Sequence, residues 1–242
     1  MEAIRIENLS KRYKDVLAVD NLNLIIEQGE LFSLLGVNGA GKTTTIKMLS
    51  CLTRPTGGDA FLNGKSICKE SHLVKKIIAV SPQETAVAPG LTVRENLELM
   101  CGVYEVPKDK QKDEVAKLMH LLGLESLSHR KAGKLSGGWQ RRLSIAMALV
   151  SRPEILFLDE PTLGLDVLAR SELWELIRTL KGKITIIMTT HYMQEAQALS
   201  DRIAIMKEGR LLICDTAENI KKSARTDDFE QAFINIIKGV AK

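Results

Sequence analysis

Apolar residues follow two alternating rhythms along this chain. Short, nearly continuous apolar runs occur at Leu31 to Leu35, Ile77 to Val80, Ile155 to Leu158, Ile184 to Met188 and Ile203 to Met206. Runs of that length predict strands buried on both faces. Between them the spacing changes to i, i+3, i+4, i+7. Val115, Leu118, Met119 and Leu122 follow it, with Gly123 placed as a C-cap. Leu143, Ala146, Met147 and Val150 repeat it, as do Leu173, Leu176, Ile177 and Leu180. Buried strands alternating with helices predict an α/β fold around a mainly parallel central sheet.

Two stretches depart from this rhythm. Near the start, Ala3 to Ile6 alternates, Leu22 to Ile26 follows, and Asn63-Gly64 marks a hairpin turn after Ala60 to Leu62. These predict an N-terminal antiparallel β portion. From Glu84 to Ser151 no convincing strand occurs, so a helical subdomain over 84–151 is expected, inserted into a core formed by 1–83 and 152–225. All of 1–242 is read as one domain. Beyond residue 226, Phe229, Ala232, Phe233, Ile236, Ile237 and Val240 share a helical face. That stripe predicts a C-terminal amphipathic helix over 226–242, expected to pack on its own domain in preference to a partner.

Hydrophobic residues make up 45% and charged residues 26%. These ordinary globular values exclude a disordered or collagen-like chain. No apolar run approaches the roughly 18–20 residues that span a bilayer, so no membrane-spanning segment is expected. The stretch MEAIRIENLS lacks the charged and apolar regions of a secretory signal. The net charge of +4 suits a phosphate ligand or a membrane-facing surface, but falls short of a nucleic-acid footprint, and no nucleic-acid partner is expected. Cys51, Cys68, Cys101 and Cys214 show no zinc spacing and are read as reduced thiols.

The chemistry enters at Gly36-Val37-Asn38-Gly39-Ala40-Gly41-Lys42-Thr43, which fits G-x-x-x-x-G-K-S/T. It follows an apolar strand and opens a helix expected over Lys42 to Cys51. Glycines let the backbone wrap an anion, and the helix N-terminus adds its dipole. Asn38 to Gly41 would cradle phosphates and Lys42 would reach the β- and γ-phosphates. Thr43 would ligate Mg²⁺, and Thr44 would add a phosphate contact. The run Ile155 to Leu158 ends in Asp159-Glu160. Asp159 suits a Mg²⁺ partner and Glu160 a general base for an attacking water. Together these elements predict a Mg-dependent nucleoside triphosphatase on a P-loop core.

Leu135-Ser136-Gly137-Gly138 precedes a helix about 20 residues before that second strand. With it the sequence resembles the ATP-binding subunits of ABC transporters, over about Ile4 to Gly209. The resemblance implies that Ser136, Gly137 and Gly138 close over the γ-phosphate of a partner protomer, sandwiching two ATP molecules in a head-to-tail dimer. It implies that Gln83 is the Q-loop glutamine approaching Mg²⁺ and the attacking water, and that His191 is the switch histidine contacting the γ-phosphate. Asp166 resembles the D-loop aspartate at the dimer seam and is also placed to cap the helix from Val167. Tyr13 resembles the aromatic that stacks on adenine; a partly buried strand residue is the other reading of it.

Thr190 to Ala196 and Leu91 to Leu97 resemble the branch of drug, sodium and lipid exporters with ABC-2 membrane subunits. The resemblance implies an ATP-hydrolysing motor at the cytoplasmic face of the membrane, paired with an identical or related ATP-binding subunit and driving a separate membrane subunit. The segment Ala86 to Leu97, with Val87, Pro89 and Leu91, is the expected docking surface; a simple packed loop is the other reading. One departure stands out. The family's signature continues with glutamine, whereas this chain has Trp139, with Gln140 following. A one-residue shift turns a helical side chain by about 100°, so Gln140 does not replace it. A soluble ABC-type ATPase acting on ribosomes or DNA, and a non-hydrolysing nucleotide-binding module, are the alternatives to the transporter motor.

Overall fold

The computed structural model describes residues 1–239. The N-terminal sheet is built from β1 (Glu2–Tyr13), β2 (Val16–Glu27), β4 (Gly57–Leu62) and β5 (Lys65–Ser66), antiparallel in the order β2-β1-β4-β5. Asn63 and Gly64, both at positive φ, form the turn between β4 and β5. β1 and β2 run twelve residues each, far beyond the alternation that predicted them. Register shifts between Ile6 and Leu9 and between Leu9 and Lys11 break the two-residue period and conceal the full length.

The second sheet has the order β10-β9-β3-β8-β7-β6, from β3 (Leu31–Leu35), β6 (Ile78–Ser81), β7 (Ile155–Asp159), β8 (Thr185–Thr190), β9 (Arg202–Lys207) and β10 (Arg210–Asp215). All its pairings are parallel except β9 with β10. β3 and β7 are buried at every position. Their side chains alternate between two cores. Phe32, Leu34, Ile155 and Phe157 face the cluster shared with β1, β2 and β4, whereas Leu31, Leu156 and Leu158 face the helical side.

The helices are α1 (Lys42–Leu49), α2 (Ser71–Ile77), α3 (Val93–Val103), α4 (Lys108–Leu122), α5 (Gly137–Leu149), α6 (Val167–Leu180), α7 (Met193–Leu199), α8 (Ala217–Ser223) and α9 (Phe229–Lys238). α3, α4 and α5 lie between β6 and β7 in the chain and share one core with α6. Gly123 ends α4 at φ 66°. The strand expected from Ile77 starts one residue later, because Ile77 is the last buried residue of α2. A short apolar run cannot separate a helix end from a strand start. Phe229, Ala232 and Phe233 of α9 are buried against Leu35, Ile203 and Ile205, so this stripe packs on its own chain. Val240, also assigned to the stripe, lies outside the described residues.

Candidate active site

The arrangement of the parallel strands assembles the site. Leu35 pairs with Thr190, Asp159 with Thr189, and Ser81 with Leu158. The carboxyl ends of β3, β8, β7 and β6 are therefore level. Their continuations carry the Gly36–Thr43 loop, His191, Asp159-Glu160 and Gln83, in the place where open α/β sheets bind ligands. A cavity of about 640 Å³ opens there. Asn38 to Thr44, Gln83, Glu160 and His191 line it, together with Val16, Leu17, Ala18, Leu163 and Glu208.

The loop takes the shape an anion requires. Gly41 has φ 99°, and a Cβ there would lie 2.5 Å from the Ala18 carbonyl oxygen. At Gly36 a Cβ would lie 2.5 Å from the Met206 carbonyl oxygen. Backbone approach this close admits only glycine. No side chain caps α1, so its first-turn N–H groups are open toward the cavity. Lys42 is buried, donates to the carbonyls of Gly36 (2.7 Å) and Val37 (3.3 Å), and lies 3.6 Å from Glu160 Oε1. Burial holds its ammonium below the usual lysine range, against the opposing pull of Glu160 and Asp159. Open N–H donors, a buried cation and glycine-only backbone fit a polyphosphate.

Asp159 and Glu160 face different partners. Asp159 Oδ1 accepts from Thr189 Oγ1 at 2.5 Å and from Thr43 Oγ1 at 3.3 Å. This hydroxyl–carboxylate pair is the oxygen-donor set that a hard cation takes alongside phosphate oxygens and water. Among the described residues no cluster of three or more His, Cys, Asp or Glu could hold a metal. Glu160 sits at φ 49°, a left-handed turn right after the strand, and its N–H donates to Thr189 Oγ1. That turn carries its carboxylate away from the strand line, to 2.5 Å from His191 Nδ1.

The remaining expected residues lie outside this cavity. Ser136 stands at the N-cap position of α5 with no capping bond from its side chain; Gly137 packs 3.6 Å from Leu165 and Gly138 3.0 Å from Ala169, measured from the Cβ each lacks. The signature segment thus abuts the turn that contains Asp166. Asp166 Oδ1 accepts from the Ala169 N–H at 2.9 Å and caps α6. Tyr13 is exposed at the end of β1, beneath the Lys11 ammonium, and pairs with Val16, a cavity residue. Trp139 is half-buried against the helical core and stacks under the Arg142 guanidinium at 4.6 Å.

Sequence reading missed several supports. Glu195 is fully buried; its Oε1 accepts from Thr162 Oγ1 (2.8 Å) and Trp174 Nε1 (3.1 Å). Arg170 lies over the ring of Tyr192, which in turn stacks against His191. Arg141 is buried and donates to the backbone of the Gln83 segment. These partners of Glu195 and Arg141 lie more than twenty residues away in the chain, so no local pattern announced them.

Fold and site together define a P-loop nucleoside triphosphatase. Residues 19–163 match the family described as ABC transporter, and the chain belongs to that family. It is 43% identical over 209 residues to the Nod factor export ATP-binding protein I of Burkholderia pseudomallei (strain 1710b), covering 86% of this chain and 68% of the relative. It is 36% identical over 240 residues to the probable multidrug ABC transporter ATP-binding protein YbhF of Escherichia coli (strain K12), covering 97% of this chain and 41% of that one. It is 40% identical over 223 residues to the human phospholipid-transporting ATPase ABCA3, covering 90% of this chain but only 13% of that protein. Among solved structures, an ATP-binding subunit of an ABC transporter superposes with TM-score 0.85 at 26% identity, covering 97% of this chain and 99% of the other. A dimeric ATP-binding cassette in a post-hydrolysis state with ADP and Pi superposes with TM-score 0.78 at 28% identity, covering 88% and 98%. The chain is thus an ATP-binding, ATP-hydrolysing subunit of the ABC transporter family.

Proposed function

We propose that this chain powers export through a separate membrane subunit by pairing with a second ATP-binding subunit around two Mg-ATP molecules. The observation that carries the proposal is the convergence of Lys42, Thr43, Gln83, Glu160 and His191 on one open cavity, while Ser136 to Gly138 lie outside it. The signature segment then has no nucleotide of its own to serve and is free to serve a partner's. The export assignment draws on the Nod factor and multidrug relatives. Among the described residues no helix is long and apolar enough to cross a membrane, so the translocation path is assigned to another chain or segment. We place the subunit at the cytoplasmic face.

Each protomer's residues divide the chemistry. Asn38 to Thr44 and Lys42 bind and orient the phosphates. Thr43, Asp159 and Gln83 hold Mg²⁺, which when bound supplies charge neutralisation at the phosphates. Glu160 takes the proton of the attacking water, and His191 fixes that carboxylate and reaches the γ-phosphate. Tyr13 supports adenine at the edge of the cavity, and Asp166 joins the seam between protomers. Catalysis is chiefly positioning and charge stabilisation. The segment Ala86 to Leu97 is the proposed docking surface; Leu99, Val103 and Tyr104, directly beyond it, are exposed. Action on ribosomes or DNA is not favoured, because the relatives named above are transport proteins.

Ser136→Arg tests the in-trans role. ATP turnover with the membrane subunit should fall about a hundredfold or more, while ATP affinity stays within about threefold. Unchanged turnover would overturn the sandwich. Removing magnesium with a chelator should likewise stop turnover.

A further inference from the structure

α5 grips the Gln83 segment at three consecutive residues. Arg141 Nη1 donates to the Pro82 carbonyl and Nη2 to the Gln83 carbonyl, each at 2.5 Å. One turn further on, the Ser144 hydroxyl meets the Ser81 hydroxyl at 3.0 Å. Positions 141 and 144 share a helix face. Arg141 and Ser144 are both 4% exposed, so water does not compete for these bonds. Burial lowers the pKa of the guanidinium, and the charges of Asp159 and Glu195 oppose that from a distance. A buried, always charged fork spent on two adjacent main-chain carbonyls is costly unless the geometry it fixes matters. Gln83, by contrast, is exposed on the cavity wall in a stretch with no helix or strand after Ser81.

We propose that Arg141 is a positioning residue that sets Gln83 for hydrolysis and couples it to the signature end of α5. Ser136 stands at the N-cap position of the helix on which Arg141 is the fifth residue, about 7.5 Å along the axis. A displacement of the signature end on docking to a partner's nucleotide is carried by the rigid helix to Pro82 and Gln83. One protomer's contact with the far ATP thereby adjusts the glutamine at its own. The inference rests on the reading of Gln83 as a hydrolysis residue.

A double-mutant cycle on the assembled transporter tests it. Arg141→Met should lower kcat about tenfold or more, with the ATP Kd within about threefold, since Arg141 does not itself line the cavity and reaches it only through the Gln83 main chain. Gln83→Ala alone should lower kcat to a similar extent. In the Arg141→Met background, Gln83→Ala should cost less than about twofold more, because both act through one group. Arg141→Lys, which keeps the charge but not the fork, should recover part of the loss. If Arg141→Met does not fold, judged by its thermal transition, the cycle is run with Arg141→Lys. Additive losses would overturn the inference and leave the ATPase reading standing. Wild-type turnover in Gln83→Ala alone would overturn both the inference and the role of Gln83.

Discussion

Glu160 Oε2 lies 2.5 Å from His191 Nδ1 across the ends of two adjacent strands. The register of β7 and β8 brings them together, since Asp159 pairs with Thr189 and each functional residue follows by one or two positions. The left-handed turn at Glu160 completes the approach. In the proposed mechanism Glu160, as the base, and His191, which orients it, act as one unit. Glu160→Gln should lower ATP turnover by about 10²–10⁴-fold while ATP binding persists. His191→Ala should add little in that background, because members of one unit are not additive. Phosphate release measured beside nucleotide binding checks both; wild-type turnover in Glu160→Gln would remove Glu160 as the base.

Lys42 donates to two loop carbonyls and lies near Glu160, so its ammonium is already aimed into the cradle. Lys42→Ala removes the one buried cation among the cavity-lining residues. ATP affinity should weaken by about 10- to 100-fold, the scale of a hydrogen bond to a charged group. Titration calorimetry reads this, and unchanged affinity would count against the cradle.

Trp139 occupies the place where the family pattern has glutamine, and the structure gives it a packing role beneath Arg142, which pairs with Glu172. Trp139→Gln should destabilise the fold by about 1–2 kcal/mol through lost packing and cation–π contact. Turnover should change by less than about a hundredfold, or 2.7 kcal/mol in barrier. A larger gain would mean that the native signature is degenerate.

Burial holds the Glu195 carboxyl above the usual range, opposed by hydrogen bonds from Thr190, Thr162 and Trp174 and by the charge of Arg170. The folded chain therefore binds this proton more tightly than the unfolded chain. That stabilisation is fully present below the unfolded value of about 4.3 and is lost as pH rises through the folded one. Compared with the non-titrating Glu195→Gln, the wild type should lose relative stability as pH rises above about 4.3. Urea midpoints for the two chains at rising pH check the sign; a constant difference would contradict it.

The parallel core was legible because strands buried on both faces leave continuous apolar runs, and β3 and β7 are buried throughout. The phosphate loop was legible because its residues are contiguous over Gly36 to Thr43, although the backbone crowding that demands glycine at Gly36 and Gly41 comes from the distant Met206 and Ala18. The length of β1 was hidden by its register shifts, and the start of β6 by the buried last residue of α2. Arg141 left no signal, since its partners Pro82 and Gln83 lie 59 and 58 residues away and offer only main-chain carbonyls. Contacts of that kind depend on the fold and not on side-chain identity at the accepting end.

The central claim is that this chain is the ATP-driven motor of a membrane exporter. Its most direct test is to isolate the tagged chain from membranes in mild detergent and measure ATP turnover of what is recovered. An integral membrane subunit is expected in the complex, with magnesium-dependent turnover that Glu160→Gln abolishes. Recovery with ribosomes or DNA and no membrane protein, at undiminished turnover, would contradict it.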